Sequence, residues 1–255
     1  ILGSNERLYP WMDESINSYF EFEAIHGDKE QSEALLENRK LKDVGFNTAA
    51  LSIGYRQLES SELHQAIGER SEQLTNMNYG LIVYGKGADA FKYLKAYLGQ
   101  ELMDSCFRAY FNKWQYRHPL PGDMMDLFEE VSGKNLHWFF LRVINSEEHI
   151  DFEITKSTAG FDIEELGGST SPYQIGYFKD GKLVKIEWHE GSLEKLTHWY
   201  PEIDFDVIKI DPYEVIPEVN RQNNTLKKNG LFKTVEPLEI KLMSVIHDPN
   251  KTSLN

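Results

Sequence analysis

Glu14 and Glu21 lie seven residues apart, and at about 100° per residue that spacing brings both carboxylates onto one stripe of a helix. Such a pair either forms a solvent-facing edge or lets one acid bind a metal ion while the other orients a neighbouring ligand. Far downstream, Tyr84 precedes Gly85 and Gly87 at the expected entrance to a helix. Its phenol there packs, caps, or donates a hydrogen bond into a cleft. Tyr79, five residues earlier, either lines the same cleft or packs beside it. No His-Glu-x-x-His pattern occurs, and none of the eight histidines has another four residues away.

The elements that must position these residues follow from periodicity. From Trp11 to about Ile144 apolar residues recur at spacings of three and four, which predicts helices throughout. Asp13 is placed to cap a first helix carrying Ile16, Tyr19, Phe20 and Ala24, with Gly27 as its stop. Residues 29–42 are rich in Glu and Lys and read as a solvated face. After Gly87 a helix through Ala90, Phe91, Leu94 and Leu98 ends at Gly99, and a partner through Leu102, Cys106, Phe107 and Tyr110 completes an αα-hairpin. Asp123 is expected to cap a short helix that Gly133 closes, and Asn135 starts another that runs to Ile144. The aromatic run Trp138-Phe139-Phe140 reads as core.

Around Asn145 the period changes to two. Ile150, Phe152 and Ile154, then Phe161 and Ile163, alternate with polar neighbours, and Asp180-Gly181 between two further alternating runs predicts a hairpin. Val207, Ile208 and Ile210 make a later strand, 220–230 reads as a polar linker, and Leu238, Ile240 and Leu242 alternate once more. The expected fold class is therefore α+β in two domains: a helical unit over 1–145, a small antiparallel β-sandwich over 146–216, and a linker with a C-terminal extension over 217–255.

Composition narrows the partners. Forty per cent hydrophobic content over 255 residues is enough for two sizeable cores. With 41 acidic against 27 basic residues the formal charge is -14, which argues against nucleic acid as a partner. Cys106 is the single cysteine, so no internal disulfide and no cysteine-based metal cluster can form. No apolar run reaches the roughly 20 residues that a membrane span needs.

Two segments together carry a family resemblance. Trp11-Met12-Asp13-Glu14-Ser15 followed by Tyr19-Phe20-Glu21 resembles the Trp-Leu-Asn-Glu-Gly and Tyr-x-Glu helix of the aminopeptidase N family of gluzincin zinc metallopeptidases. Tyr84-Gly85-Lys86-Gly87-Ala88 is similar to that family's Tyr-Glu-Lys-Gly-Ala. Leu98-Gly99, the aromatic helix at 107–114, the helix at 123–130 and Ser132-Gly133 continue the likeness in order, over roughly residues 1–144. The resemblance implies a thermolysin-like helical subdomain with Glu14 as the third zinc ligand, Tyr84 as donor to the tetrahedral oxyanion, and Glu21 orienting a zinc-bound histidine. It implies one zinc ion in the complete protein, a peptide substrate cleaved at its N-terminal residue, and a periplasmic or cell-envelope bacterial setting. Ser15 departs from the usual glycine and Gly85 from the usual acidic residue.

In that family eighteen residues separate the second histidine of His-Glu-x-x-His from its glutamate ligand, whereas thirteen precede Glu14 here. The expectation is thus that the two histidines and the general base lie in a missing N-terminal part, and that the isolated chain is inactive. The alternative function is a non-catalytic scaffold or interaction module, a pseudopeptidase.

Overall fold

The computed structural model describes residues 3–26, 39–158 and 160–228. Among them are six α-helices, two π-helical stretches and seven strands. A 3-10 turn at Pro10–Met12 leads into α1 (Glu14–His26). Then come α2 (Arg39–Ser60), the single turn α3 (Asn76–Asn78), a first π-helix (Tyr79–Lys86), α4 (Gly87–Leu98), α5 (Gln100–Trp114), α6 (Pro121–Ser132) and a second π-helix (Trp138–Ile144). The coarse α+β expectation holds. The expected stop at Gly27, most of the charged run at 29–42 and the alternating residues near Leu238 fall outside the described residues.

Helix α1 buries Ser15, Ser18, Tyr19 and Phe22, a stripe with steps of three and four. Its Asp13 takes the Asn17 side-chain amide at 3.1 Å. Helix α4 buries Ala90, Phe91, Leu94 and Leu98, and α5 buries Met103, Cys106 and Tyr110 by the same periodicity, with Gly99 alone between the two helices. In α6 the expected cap moves. The Asp123 carboxylate sits at the third helical position and reaches back to the Leu120 N–H at 2.8 Å, because Pro121 opens the helix. Gly133 closes it in the left-handed conformation, φ 65°.

The helical core is aromatic. Phe91 lies 6.2 Å from Trp11, 5.9 Å from Phe107 and 5.3 Å from Phe139, ring centre to ring centre, and all of Trp138, Phe139 and Phe140 are buried as expected. Burial of each such side chain contributes about 2–3 kcal/mol.

The β part holds β1 (Phe152–Lys156), β2 (Gly160–Glu165), β3 (Tyr173–Lys179), β4 (Lys182–His189), β5 (Leu196–Trp199), β6 (Val207–Ile210) and β7 (Thr225–Lys227). They form two antiparallel sheets, β1-β2-β5 and β4-β3-β6-β7. The β3–β4 turn has positive φ at both Asp180 (49°) and Gly181 (74°), the twist that an Asp-Gly hairpin requires. Phe152 meets Tyr173 at 5.1 Å, and Phe161 lies 6.4 Å from Tyr177, so aromatic rings of one sheet pack on those of the other.

Two expectations change. The polar stretch at 220–230 is not a free linker, since it contributes β7, and the Asn223 carbonyl accepts from the Ile154 N–H at 3.0 Å. Nor do the buried apolar residues divide into two cores, because one continuous cluster runs from Trp11 to Leu226. The seam is aromatic: Tyr93 and Tyr97 of α4 contact Trp188 of β4 at 6.2 and 5.3 Å, and the Tyr93 hydroxyl donates to the Pro172 carbonyl.

Candidate active site

Ser15 fixes the two motifs against each other. Its buried hydroxyl donates to the Val83 carbonyl at 2.6 Å, one residue before Tyr84. A Cβ on Gly87 would lie 2.1 Å from that same oxygen, so the start of α4 approaches α1 only because residue 87 has no side chain. Serine at position 15, where the family resemblance expects glycine, therefore supplies a tie between the segments.

Tyr84 is not at a helix entrance. It lies in the last turn of the first π-helix, which runs directly into α4. The opposite side of this π-helix is pinned by α2: a Cβ on Gly85 would come 3.1 Å from Leu51 Cβ, and Lys86 makes a buried ion pair with Glu59 at 2.7 Å. Gly85 thus permits a close approach of α2 where the family resemblance expects an acid. Lys86 does not reach the cleft. Thr75 caps the preceding turn by accepting from the Asn78 N–H at 3.1 Å.

Held in this way, the Tyr84 phenol faces the carboxylate of Glu14, seventy residues away in sequence. Burial first, and then the Glu14 carboxylate, keep the phenol protonated well above the usual tyrosine range. The Tyr79 ring lies 5.9 Å from the Tyr84 ring, and its hydroxyl donates to Glu6 Oε1 at 3.1 Å. Burial and then Glu6 raise Tyr79 as well. The structure brings together Glu14, Tyr84 and Tyr79, and adds Glu6, which sequence reading missed. Glu6 sits in an irregular segment before the 3-10 turn, where no periodicity marks a side chain's direction. Glu21 is exposed on α1, two turns beyond Glu14, and makes no hydrogen bond or ion pair among the described residues.

These groups offer a carboxylate and a phenolic donor side by side, an arrangement suited to a cation and to an oxygen that gains negative charge. They do not form a zinc site by themselves. Among the described residues no three His, Cys, Asp or Glu side chains converge as metal ligands. Described histidines are engaged elsewhere: His64 contacts the Glu147 carbonyl at 2.7 Å, His118 the Gly3 carbonyl at 2.7 Å, and His198 the Tyr173 hydroxyl at 2.9 Å, with His189 beside it on β4.

A family model described as the peptidase family M1 domain matches residues 9–143, more than half of the chain. The chain belongs to peptidase family M1. Members of M1 are in general zinc-dependent peptidases. Aminopeptidase N of Streptomyces lividans is 31% identical over 83 residues, which cover 32% of this chain and 10% of that protein. Aminopeptidase A of Legionella pneumophila, solved in complex with aspartic acid, superimposes with a TM-score of 0.50 at 17% identity, over 60% of this chain and 19% of that one. That match shows a shared fold. The chain thus spans about a tenth of the curated relative and about a fifth of the solved one. The M1 match covers the whole Glu14–Tyr84 site and ends at the second π-helix, before the β part begins. No helix among the described residues is long and apolar enough to cross a membrane.

Proposed function

We propose that this chain forms the part of an M1 aminopeptidase that holds an acidic zinc ligand and a transition-state hydrogen-bond donor. The observation that carries the reading is the buried Ser15–Val83 hydrogen bond at 2.6 Å, which ties the two motifs together and sets Glu14 beside Tyr84, seventy residues away. Glu14 supplies one oxygen ligand to a single zinc ion, and the remaining donors come from residues outside those described. When bound, zinc supplies Lewis acidity toward a peptide carbonyl.

Tyr84 does its work as a protonated phenol. Its O–H donates to the carbonyl oxygen of the substrate, most strongly as negative charge develops there. Tyr79 forms the adjoining wall of the cleft. Glu21, exposed on the Glu14 stripe of α1, orients a histidine ligand through its ring N–H. In this reading the helical part is the thermolysin-like C-terminal subdomain of the catalytic domain, and the two sheets are a sandwich domain packed on it through the Tyr93–Trp188 seam. The substrate is a peptide cleaved after its N-terminal residue.

The test is zinc content and Ala- or Leu-anilide hydrolysis for the full-length protein with its upstream segment, beside its Glu14→Ala and Tyr84→Phe variants. Glu14→Ala should lose zinc and activity while remaining folded. Tyr84→Phe should keep zinc and lose about 10²–10³ in kcat, the usual cost of one oxyanion donor. Zinc-free, inactive wild-type protein would instead establish a pseudopeptidase scaffold.

A further inference from the structure

Tyr79 and Tyr84 are five residues apart, and on an α-helix they would diverge by about 140°, too far for their rings to meet. The π-helix changes this. Its i→i+5 hydrogen bonding brings residues five apart into register, and the two rings stand 5.9 Å apart. Tyr84 thus has a neighbour on its own element that limits how far its ring can swing. What limits Tyr79 is Glu6, whose Oε1 accepts from the Tyr79 hydroxyl at 3.1 Å.

Glu6 is itself held from behind. The Ser71 hydroxyl donates to the Glu6 carbonyl at 2.6 Å, the Ser71 N–H donates to the Arg7 carbonyl at 3.0 Å, and the Tyr9 N–H donates to the Asn5 carbonyl at 2.8 Å. Its backbone is therefore fixed on both sides although its side chain is exposed. A chain of contacts results: Glu6 to the Tyr79 hydroxyl, and the Tyr79 ring to the Tyr84 ring, whose phenol faces Glu14.

We propose that Glu6 is a positioning residue for Tyr84: by holding the Tyr79 hydroxyl it fixes the ring against which Tyr84 rests, and so keeps the Tyr84 O–H aimed at the Glu14 side of the cleft. This rests on the reading of Tyr84 as a hydrogen-bond donor in peptide hydrolysis. Glu6 touches neither the substrate nor the metal. Its loss acts on the geometry of the donor, so it lowers kcat while leaving ground-state binding nearly unchanged.

The experiment measures kcat and KM for Ala- and Leu-anilide on the full-length protein, with Tyr84→Phe as reference. Glu6→Ala and Tyr79→Phe should each lower kcat about tenfold with KM within about twofold, and the double variant should be no worse than the poorer single one, because both cut the same link. Glu6→Gln keeps an oxygen that accepts from the Tyr79 hydroxyl and should recover the rate to within about threefold of wild type. A purely structural role would move the thermal midpoint and would not give this pattern of coupling and rescue. Wild-type kcat in Glu6→Ala beside a disabled Tyr84→Phe would overturn the assignment of Glu6, as would additive losses or a Glu6→Gln variant as slow as Glu6→Ala. Full activity in Tyr84→Phe would instead remove the reading of Tyr84, and the role of Glu6 with it.

Discussion

Glu14 and Glu6 face tyrosine hydroxyls at a half-open surface, whereas Glu218 and Asp211 accept from backbone N–H groups in places closed to water. Glu218 is fully buried, and its Oε1 accepts from the Phe152 N–H at 2.6 Å while its other oxygen holds the Asn224 amide. Asp211 is 1% exposed and accepts from the Val215 and Ile216 N–H groups at 3.0 and 2.7 Å. Carboxylates bonded to backbone set the path of the chain and cannot change partners without unfolding it. Those facing phenols can exchange a rotatable O–H for a ligand at small cost.

The largest expected effect tests the closed side. Glu218→Ala leaves a buried N–H of β1 and a buried amide without acceptors and should lower unfolding free energy by about 3 kcal/mol in a urea titration. Gly87→Ala strikes the seam on the open side without touching Glu14 or Tyr84. Its new Cβ would fall 2.1 Å from Ser15 Oγ and 2.6 Å from Ser15 Cβ, which should cost about 2 kcal/mol. A loss comparable with that of a surface substitution, under about 0.5 kcal/mol, would mean that α1 and α4 can part freely.

A third prediction uses proton linkage. Burial, the largest effect, holds the Glu218 carboxyl well above its ordinary 4.5, against the opposing pull of Phe152 and Asn224. The folded state therefore binds this proton more tightly than the unfolded chain does. Its contribution is complete below pH 4.5 and is lost as the pH climbs from there toward the folded value. Stability of the wild type should decline as the pH rises above the ordinary carboxylate range on this account, and Glu218→Gln should flatten the decline. An unchanged slope in the variant would place the responsible proton elsewhere. The smallest effect is on the open side: Glu14→Ala should change unfolding free energy by less than about 0.5 kcal/mol, and a loss near that of Glu218→Ala would erase the distinction between the two groups of acids.

The open side was largely legible in the residues. Glu14 and Tyr84 are marked by motif, Tyr79 is open between cleft and packing on the residues alone, and the structure places its ring beside that of Tyr84. Two things were hidden for a physical reason. A π-helix of eight residues is too short to show its own apolar period, so nothing in 79–86 announces that rings five apart will meet. Glu6 acts through tertiary placement by Ser71, which leaves no local pattern. In the β part the alternation of Phe152, Ile154, Phe161 and Ile163 and the Asp180-Gly181 turn are correct. Strand β7 escaped because Thr225 and Lys227 flank the single buried Leu226 inside a polar stretch, and its backbone pairs with β6 regardless of side chains. The helix cap at Asp123 was misplaced by three residues since Pro121 takes the first helical position.

The Tyr93–Trp188 seam has a bearing on how the molecule comes apart. Tyr93 is wholly buried, with Trp138 at 4.9 Å on one flank and Trp188 at 6.2 Å on the other, and its hydroxyl ends on the Pro172 carbonyl. Prying the sheets from the helices would expose these rings and orphan that hydroxyl in one step. Heat or denaturant should therefore unfold helices and sheets together, with α4, which carries Tyr93 and follows directly from the π-helix, as the element both parts share.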